Sequence, residues 1–314
     1  MDTTPQTLLE AVVYFSDPQR AHDYFVGVRW PYGVACPRQG CGSAAVQYIS
    51  TRRLWRCKDC KREFTPKFGT VFEDSPIPLT KWLPAVWLLS ANRNGISSCE
   101  VARALGVTQK TAWFMLHRIR LAMAAESFEK LSGEIEVDET FVGPKFRAMK
   151  RRPKAEYLVK HKGPQTGRVV VMGMRQRGGS VRAWVVPNTR RESLLPRVYA
   201  NVAKGSTVYT DALGSYRSLK YDYVHEFINH AEKYVAGRVH TNSIENFWSV
   251  LKRTLGGTYI APRPKHLSRY LEEQIFRFNE RESTDGPRFA TALKGVDCKR
   301  LTYRELIGKE KTAD

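Results

Sequence analysis

Apolar residues fall at helical spacing through the segments around 80 to 123 and at alternate positions beyond Lys130, so the pattern changes character partway along the chain. The most apolar run, LPAVWLLSA at 83–91, fits a buried helix and is too short to span a membrane. From Ile96, ISSCEVARALGVTQKTAWFMLHRIRLAM reads as two helices broken at Gly106. Val101, Ala102 and Leu105 give the first an apolar side; Thr108 caps a second that runs through Trp113, Leu116 and Ile119. The short glycine-containing turn is that of a helix-turn-helix, although a plain helical hairpin shares it. In such a motif Gln109, Lys110 and Thr111 start the second helix, where side chains reach base edges in the major groove.

Beyond Lys130, GEIEVDETFVG (133–143), RVVVMGMR (168–175) and SVRAWVVP (180–187) read as strands, the last two joined as a hairpin by Arg-Gly-Gly. ESLLPRVYANVA predicts a helix, STVYTDALGSY (206–216) a strand running into Asp211, and YVHEFINH (223–230) a fifth strand. In HTNSIENFWSVLKR (240–253), Ile244, Phe247, Trp248 and Leu251 form the core side of an amphipathic helix. HLSRYLEEQIFRFNERE predicts one more helix, packed back on the same domain and followed by a charged tail. Three strands, a helix, two strands and a helix is the order of a ribonuclease H-like fold, a mixed α/β class with helices flanking the sheet. The expected domains are an N-terminal helix and a small ribbon carrying the cysteine pairs CPRQGC (36–41) and CKDC (57–60), spaced as for zinc (1–75), a helix-turn-helix (76–128), the ribonuclease H-like domain (129–284) and a C-terminal tail (285–314).

In that fold the first and fourth strands lie side by side, so Asp138 and Asp211 would meet, with Glu245 on the following helix leaning toward them. Three gathered carboxylates repel one another unless cations neutralise them, and Mg²⁺ is the hard oxygen-binding ion for that role. Glu245 and Lys252 are seven residues apart and share one line of the helix, which would hold Lys252 near a DNA phosphate. Asn242-x-x-Glu245 is also the pattern of a helix N-terminal capping box, a reading this segment leaves open. Glu134, Glu136 and Glu139 are expected to face solvent, and His230 and His240 to serve as hydrogen-bonded structure.

Charge sharpens the picture. Lys and Arg number 51 against 31 Asp and Glu, a net charge of +20 over 314 residues, which draws a protein to polyanions. KFRAMKRRPKAEYLVK at 145–160 is read as a loop that gathers DNA backbone. MDTTPQTLLEAVVYF lacks the positive region of a signal peptide, so a cytoplasmic protein with no membrane association is expected. Six cysteines in a reducing compartment suit metal binding better than disulfides. Cys36 and Cys41 in CPRQGC, with Cys57 and Cys60 in CKDC, form two knuckles for one structural Zn²⁺; Cys99 and Cys298 are buried or incidental. Arg52, Arg53 and Arg56, with Lys58, Lys61 and Arg62 and with Trp55 and Phe64 among them, offer phosphate contacts around the second knuckle.

Taken in order, CPRQGC, CKDC, FGTVFEDSPIPLTKW, IEVDETFVG, VYTDALGSY, HTNSIENFWSVLKR and HLSRYLEEQIFRFNER resemble the bacterial insertion-sequence transposases of the ISXO-like group, from about Trp30 to Arg281. The resemblance implies a DDE-type enzyme that binds double-stranded DNA at element ends and in the target, with Mg²⁺, two ions by expectation, serving cleavage and strand transfer. It implies that Asp138 and Asp211 are the first two catalytic acids. The third position varies in such enzymes, some carrying Asn; Glu245 is the choice here, a carboxylate with Lys252 at the spacing seen after the third acid, and Asn242 the alternative. Lys252 and Arg253 would contact DNA, and the handling of two ends implies a homodimer or higher assembly. An inactive DNA-binding scaffold and a stand-alone ribonuclease H-like nuclease are the rival readings.

Overall fold

The computed structural model describes residues 4–124, 129–143, 168–211, 214–228, 240–260 and 262–309. His230 and the basic segment 145–160 lie outside the described residues. The chain forms two compact units, Met1–Ala125 with Glu280–Asp314, and Glu126–Asn279.

The first unit begins with α1 (Leu8–Ser16) and α2 (Pro18–Arg29). Thr7 and Glu10 close a reciprocal capping box on α1, and Asp17 caps α2 with Pro18 in the first turn, where its missing N–H costs nothing. A three-stranded antiparallel ribbon follows: β1 (Val46–Ile49), β2 (Leu54–Cys57) and β3 (Glu63–Phe64). Helix α3 (Leu79–Ala91) carries the predicted apolar run and buries Trp82, Leu83, Val86, Trp87 and Leu89. Then come α4 (Ser98–Leu105) and α5 (Gln109–Met123). Gly106 between them has φ +60°, a left-handed turn that a side chain would strain, and Thr108 caps α5 by accepting the Thr111 N–H. The two helices and the break at Gly106 are therefore as predicted.

The second unit is a five-stranded sheet in the order β6-β5-β4-β7-β8, formed by β4 (Glu134–Val142), β5 (Val169–Gln176), β6 (Val181–Val186), β7 (Thr207–Asp211) and β8 (Val224–Ile228). The first three strands pair antiparallel, whereas β7 lies parallel to β4 and β8 parallel to β7. Helix α6 (Arg191–Asn201) and the 3₁₀ turn Gly214–Tyr221 cover one face, where Ile135, Val137, Met172, Leu194 and Tyr216 form a core. Helices α7 (Asn242–Gly257) and α8 (Leu267–Asn279) cover the other with Ile244, Phe247, Trp248, Leu251 and Leu271, packed on Val171 and Ala183. This mixed sheet, clothed on both faces, is the expected ribonuclease H-like order.

The C-terminal stretch is not the tail expected from 285 onward. It forms α9 (Asp285–Lys294) and α10 (Tyr303–Ile307) and belongs to the first unit. Phe289 and Leu293 are buried, Val71 N–H donates to Val296 O (3.0 Å), Arg29 pairs with Asp297 (2.9 Å), and Arg118 donates to Leu301 O (3.0 Å). The ribbon region and the helix-turn-helix, expected as separate domains, share this unit, because α1 and α2 pack on α3. The helix predicted over HLSRYLEEQIFRFNERE stops at Asn279, whose side chain bonds the backbone of Val181 at 2.8 and 3.1 Å.

Candidate functional site

Along β4 the odd positions Ile135 and Val137 enter the core under α6, so Glu134, Glu136, Asp138 and Thr140 point to the α7 side. The parallel register pairs Glu136 with Tyr209; carried two residues on, it sets Asp138 beside Asp211, the last residue of β7. Glu245 lies in the first turns of α7, which packs across this part of the sheet. Burial above all, then the charges of Asp211 and Glu245, pushes Asp138 up to about 6, against the pull of the Trp248 and Glu139 N–H groups. All three acids singled out in the sequence are thus electrostatic neighbours. The four cysteines remain the one group of potential ligands, among the described residues, drawn close enough to share an ion without movement.

Glu245 is exposed, and its Oε1 accepts the Thr241 hydroxyl at 3.1 Å. It is not half of a capping box with Asn242: Asn242 is the first helical residue, and Thr241, at the cap position, makes no side-chain capping bond. Lys252 and Arg253 are exposed further along α7, as is Asn242 at its start. The line joining Glu245 and Lys252 skirts the buried face instead of lying opposite it, since Trp248 sits three residues after one and four before the other.

Glu136 takes the vacant cap role. Its Oε2 accepts the Ile244 N–H at 3.0 Å, and its Oε1 accepts from Arg177 Nε at 2.9 Å with His240 Nδ1 3.4 Å away. Arg177 also donates to the His240 carbonyl (2.8 Å) and reaches Glu134 (3.4 Å), which accepts the Tyr209 hydroxyl (2.7 Å). Arg175 adds a bond to Ser243 O at 2.7 Å. The start of the helix carrying Glu245 is thereby tied to the strand carrying Asp138. This corrects the expectation that the neighbouring glutamates face solvent: Glu136 is 0% exposed, because a sheet covered on both sides has no solvent face. Glu139 points the other way, accepts the Tyr216 hydroxyl and is pushed up to about 9, first by burial and then by Asp138 and Asp211. His240 is hydrogen-bonded structure, as expected.

Sequence reasoning missed Glu136, Arg177, Trp248 and Gly173. Trp248 N–H donates to Asp138 Oδ2 at 2.9 Å, and Gly173 faces Asp138 across the β4–β5 pair. A glycine inside the β-branched run RVVVMGMR signals a close approach, and that signal was available.

In the first unit, Cys36 Sγ is 3.8 Å from Cys60 Sγ, Cys41 Sγ is 3.7 Å from Cys57 Sγ, and all four sulfurs lie within 4.8 Å of one another. A tetrahedron of thiolates about 2.3 Å from Zn²⁺ has edges of about 3.8 Å, so the cluster fits a closed structural zinc site. Backbone N–H groups of Cys60 and Asp59 aimed at Cys57 lower its thiol to about 7, whereas burial pushes the Cys36 thiol up to about 12, so the cluster as a whole depends on a cation to become thiolate. Trp55 and Phe64 are not interleaved with the surface cations. They stack 6.0 Å apart in the small core beside the cysteines, with His22 stacked 5.5 Å from Trp55. Arg52 pairs with Glu63 (2.9 Å), Arg53 adopts φ +48°, and Arg53 and Arg56 are exposed. At the start of α5, Gln109 bonds Ser98 (2.8 Å), Lys110 lies 4.8 Å from the Tyr303 ring centre and Thr111 shares a hydroxyl bond with Thr108 (2.8 Å). Cys99 and Cys298 are exposed, not buried. No described helix is long and apolar enough to cross a membrane.

Comparison with known proteins agrees with this layout. The family model for the ISXO2-like transposase domain matches residues 130–279. A protein of transposable element ISH50 from Halobacterium salinarum is 30% identical over 252 residues, covering 77% of this chain and 84% of that protein. The chain belongs to the ISXO2-like transposases. The model for the transposase zinc-ribbon domain matches residues 16–63, which hold all four clustered cysteines. A transposase-like protein of Haemophilus influenzae is 37% identical over 99 residues, 31% of this chain and 80% of that protein. Within this ISXO2-like transposase, Glu136→Ala is expected to cost about 2–4 kcal/mol, because it strips the half-buried Arg177 guanidinium of its nearer carboxylate and uncaps α7. Denaturant unfolding measures this; a loss under about 1 kcal/mol would show that the clamp is dispensable.

Proposed function

We propose that this chain is an active DNA transposase of an insertion sequence, which binds the ends of its element, cleaves there and joins the freed 3′-hydroxyls to target DNA. The observation that carries the reading is the juxtaposition of Asp138 and Asp211 on paired parallel strands with Glu245 on the helix packed across them. Asp138, Asp211 and Glu245 are the oxygen ligands for Mg²⁺, two ions by this reading, and Asn242 is the alternative third ligand. When bound, Mg²⁺ supplies Lewis-acid stabilisation of charge at the phosphodiester undergoing in-line displacement. The carboxylates orient the ion and the nucleophile; Lys252 and Arg253, exposed on α7, hold flanking phosphates. Cleavage and joining are both phosphoryl transfers, need no covalent enzyme intermediate and use the same residues.

End recognition falls to the first unit. Gln109, Lys110 and Thr111 at the start of α5 read base edges, and Arg52, Arg53 and Arg56 of the ribbon contact phosphates. Support comes from the net charge of +20 and from the pairing of a zinc-ribbon match with a transposase-domain match in one chain. Working inside the cell, the enzyme brings two ends together as a homodimer or larger assembly. The test is incubation of the full chain with duplex DNA carrying the inverted repeats that flank its gene, with a target plasmid and Mg²⁺. Expected are nicks at the repeat boundary, joined products and a complex whose mass holds at least two chains per end pair. Binding without cleavage would favour an inactive scaffold, and cleavage without joining a stand-alone nuclease.

A further inference from the structure

We propose that Trp248 is a positioning residue: its indole N–H, seated against the bare backbone of Gly173, fixes one oxygen of Asp138 so that the other is presented to a divalent cation. The inference rests on the reading of Asp138 as a metal ligand given above. Trp248 is 4% exposed, and a buried indole N–H needs an acceptor. The acceptor it has is Asp138 Oδ2, at 2.9 Å, out of the whole surface that α7 packs upon.

The seat for that ring is built into the adjacent strand. Gly173 is the residue directly paired with Asp138, and a Cβ placed on it would come within 2.5 Å of Trp248 Cη2, 2.6 Å of Trp248 Cζ2 and 3.1 Å of Ile244 Cδ1. Backbone φ there is not left-handed, so conformational freedom does not explain the glycine. Close approach of the indole does. Ile244 and Trp248, one turn apart, both close over Gly173, which sets α7 at one height along the sheet and with it Glu245, three residues before Trp248. A carboxylate with one oxygen already committed to a fixed donor loses rotational freedom before any cation arrives. Hydrogen-bonded partners of metal ligands typically account for roughly ten- to a hundredfold in metal affinity.

The test uses the full chain and Mn²⁺ as probe, with affinity read by calorimetry and by electron paramagnetic resonance. Trp248→Phe is expected to weaken Mn²⁺ binding by roughly ten- to a hundredfold, on top of the modest fall in melting temperature that a smaller ring in this core brings, while affinity for end DNA stays close to the parent's. Asp138→Ala should abolish the same site. If Asp138→Ala binds Mn²⁺ as the parent does, the metal-site reading fails and this inference with it. If Asp138→Ala loses binding but Trp248→Phe stays within twofold of the parent, this inference alone is overturned. A purely structural role for the ring would lower the melting temperature and spare Mn²⁺ affinity. Gly173→Ala should destabilise the chain, and Gly173→Ala with Trp248→Phe should regain stability without regaining Mn²⁺ affinity. Should Trp248→Phe fail to fold, the parent still decides: Mn²⁺ is expected to broaden the Trp248 indole N–H resonance, and a resonance left sharp at saturating Mn²⁺ overturns the proposal.

Discussion

Replacing Asp138 or Asp211 by alanine is expected to reduce Mg²⁺-dependent cleavage of end DNA by at least about a thousandfold while binding of that DNA survives. The magnitude follows from what a bound cation contributes, several kcal/mol of transition-state charge stabilisation, of which about 4 kcal/mol corresponds to three powers of ten. Survival of binding follows from topology. Both aspartates lie in Glu126–Asn279, whereas the zinc ribbon and helix-turn-helix belong to the other unit. Neither substitution removes a core residue: Asp138 is partly buried, and burial with neighbouring charge already holds its carboxyl up at about 6. Alanine there relieves repulsion but leaves the buried Trp248 N–H without its acceptor, so the two effects offset and the net change in stability should be small. A variant that both unfolds and stops cutting would contradict this separation. Glu245→Ala and Asn242→Ala, run side by side, assign the third position: the expected large loss is at Glu245, with a small one at Asn242.

Removing zinc is the second large effect. Only Cys36, Trp55, Cys57 and Phe64 of the ribbon's core are fully buried, with partly buried residues such as Trp30, Val46 and Phe68 around them, a small core to offset the entropy of ordering its loops. A strong chelator, or Cys57→Ser, is therefore expected to release one zinc per chain, unfold β1–β3 and lower affinity for end DNA by at least about tenfold. Helices α3, α4 and α5, which bury Trp82, Trp87, Met115 and Ile119 among themselves and their neighbours, should keep their helical signal. Circular dichroism and a fluorescence-anisotropy titration read the two consequences. Unchanged affinity after complete zinc release would assign end recognition to the helix-turn-helix alone.

Much of this was readable from residues. The change from helical to alternating spacing located the sheet, Gly106 and Thr108 marked the helix-turn-helix break, and cysteine spacing gave the zinc knuckles, because each of these signals is local. That Asp138 and Asp211 are neighbours followed once the order of elements suggested the fold. What stayed hidden is non-local. Alternation along β4 says that Glu136 and Asp138 share a face, but it cannot say that a helix beginning 104 residues after Asp138, at Asn242, buries that face. So Glu136 reads as a solvated acid until α7 is in place. The C-terminal helices were read as a tail for the same reason: their partners, Val71, Asp74 and Arg118, lie more than 180 residues earlier. Trp248 reads as a core residue, which it is; that its polar edge reaches Asp138 depends on Gly173 in the neighbouring strand.

Asp138, Asp211 and Glu245 are expected to grip a divalent cation jointly. Titration of Mn²⁺ into the full chain, repeated with Asp138→Ala, Asp211→Ala and Glu245→Ala, asks this without any requirement for activity. The expected result is saturable binding in the parent that each substitution weakens by tenfold or more; equal binding in all four proteins would contradict it.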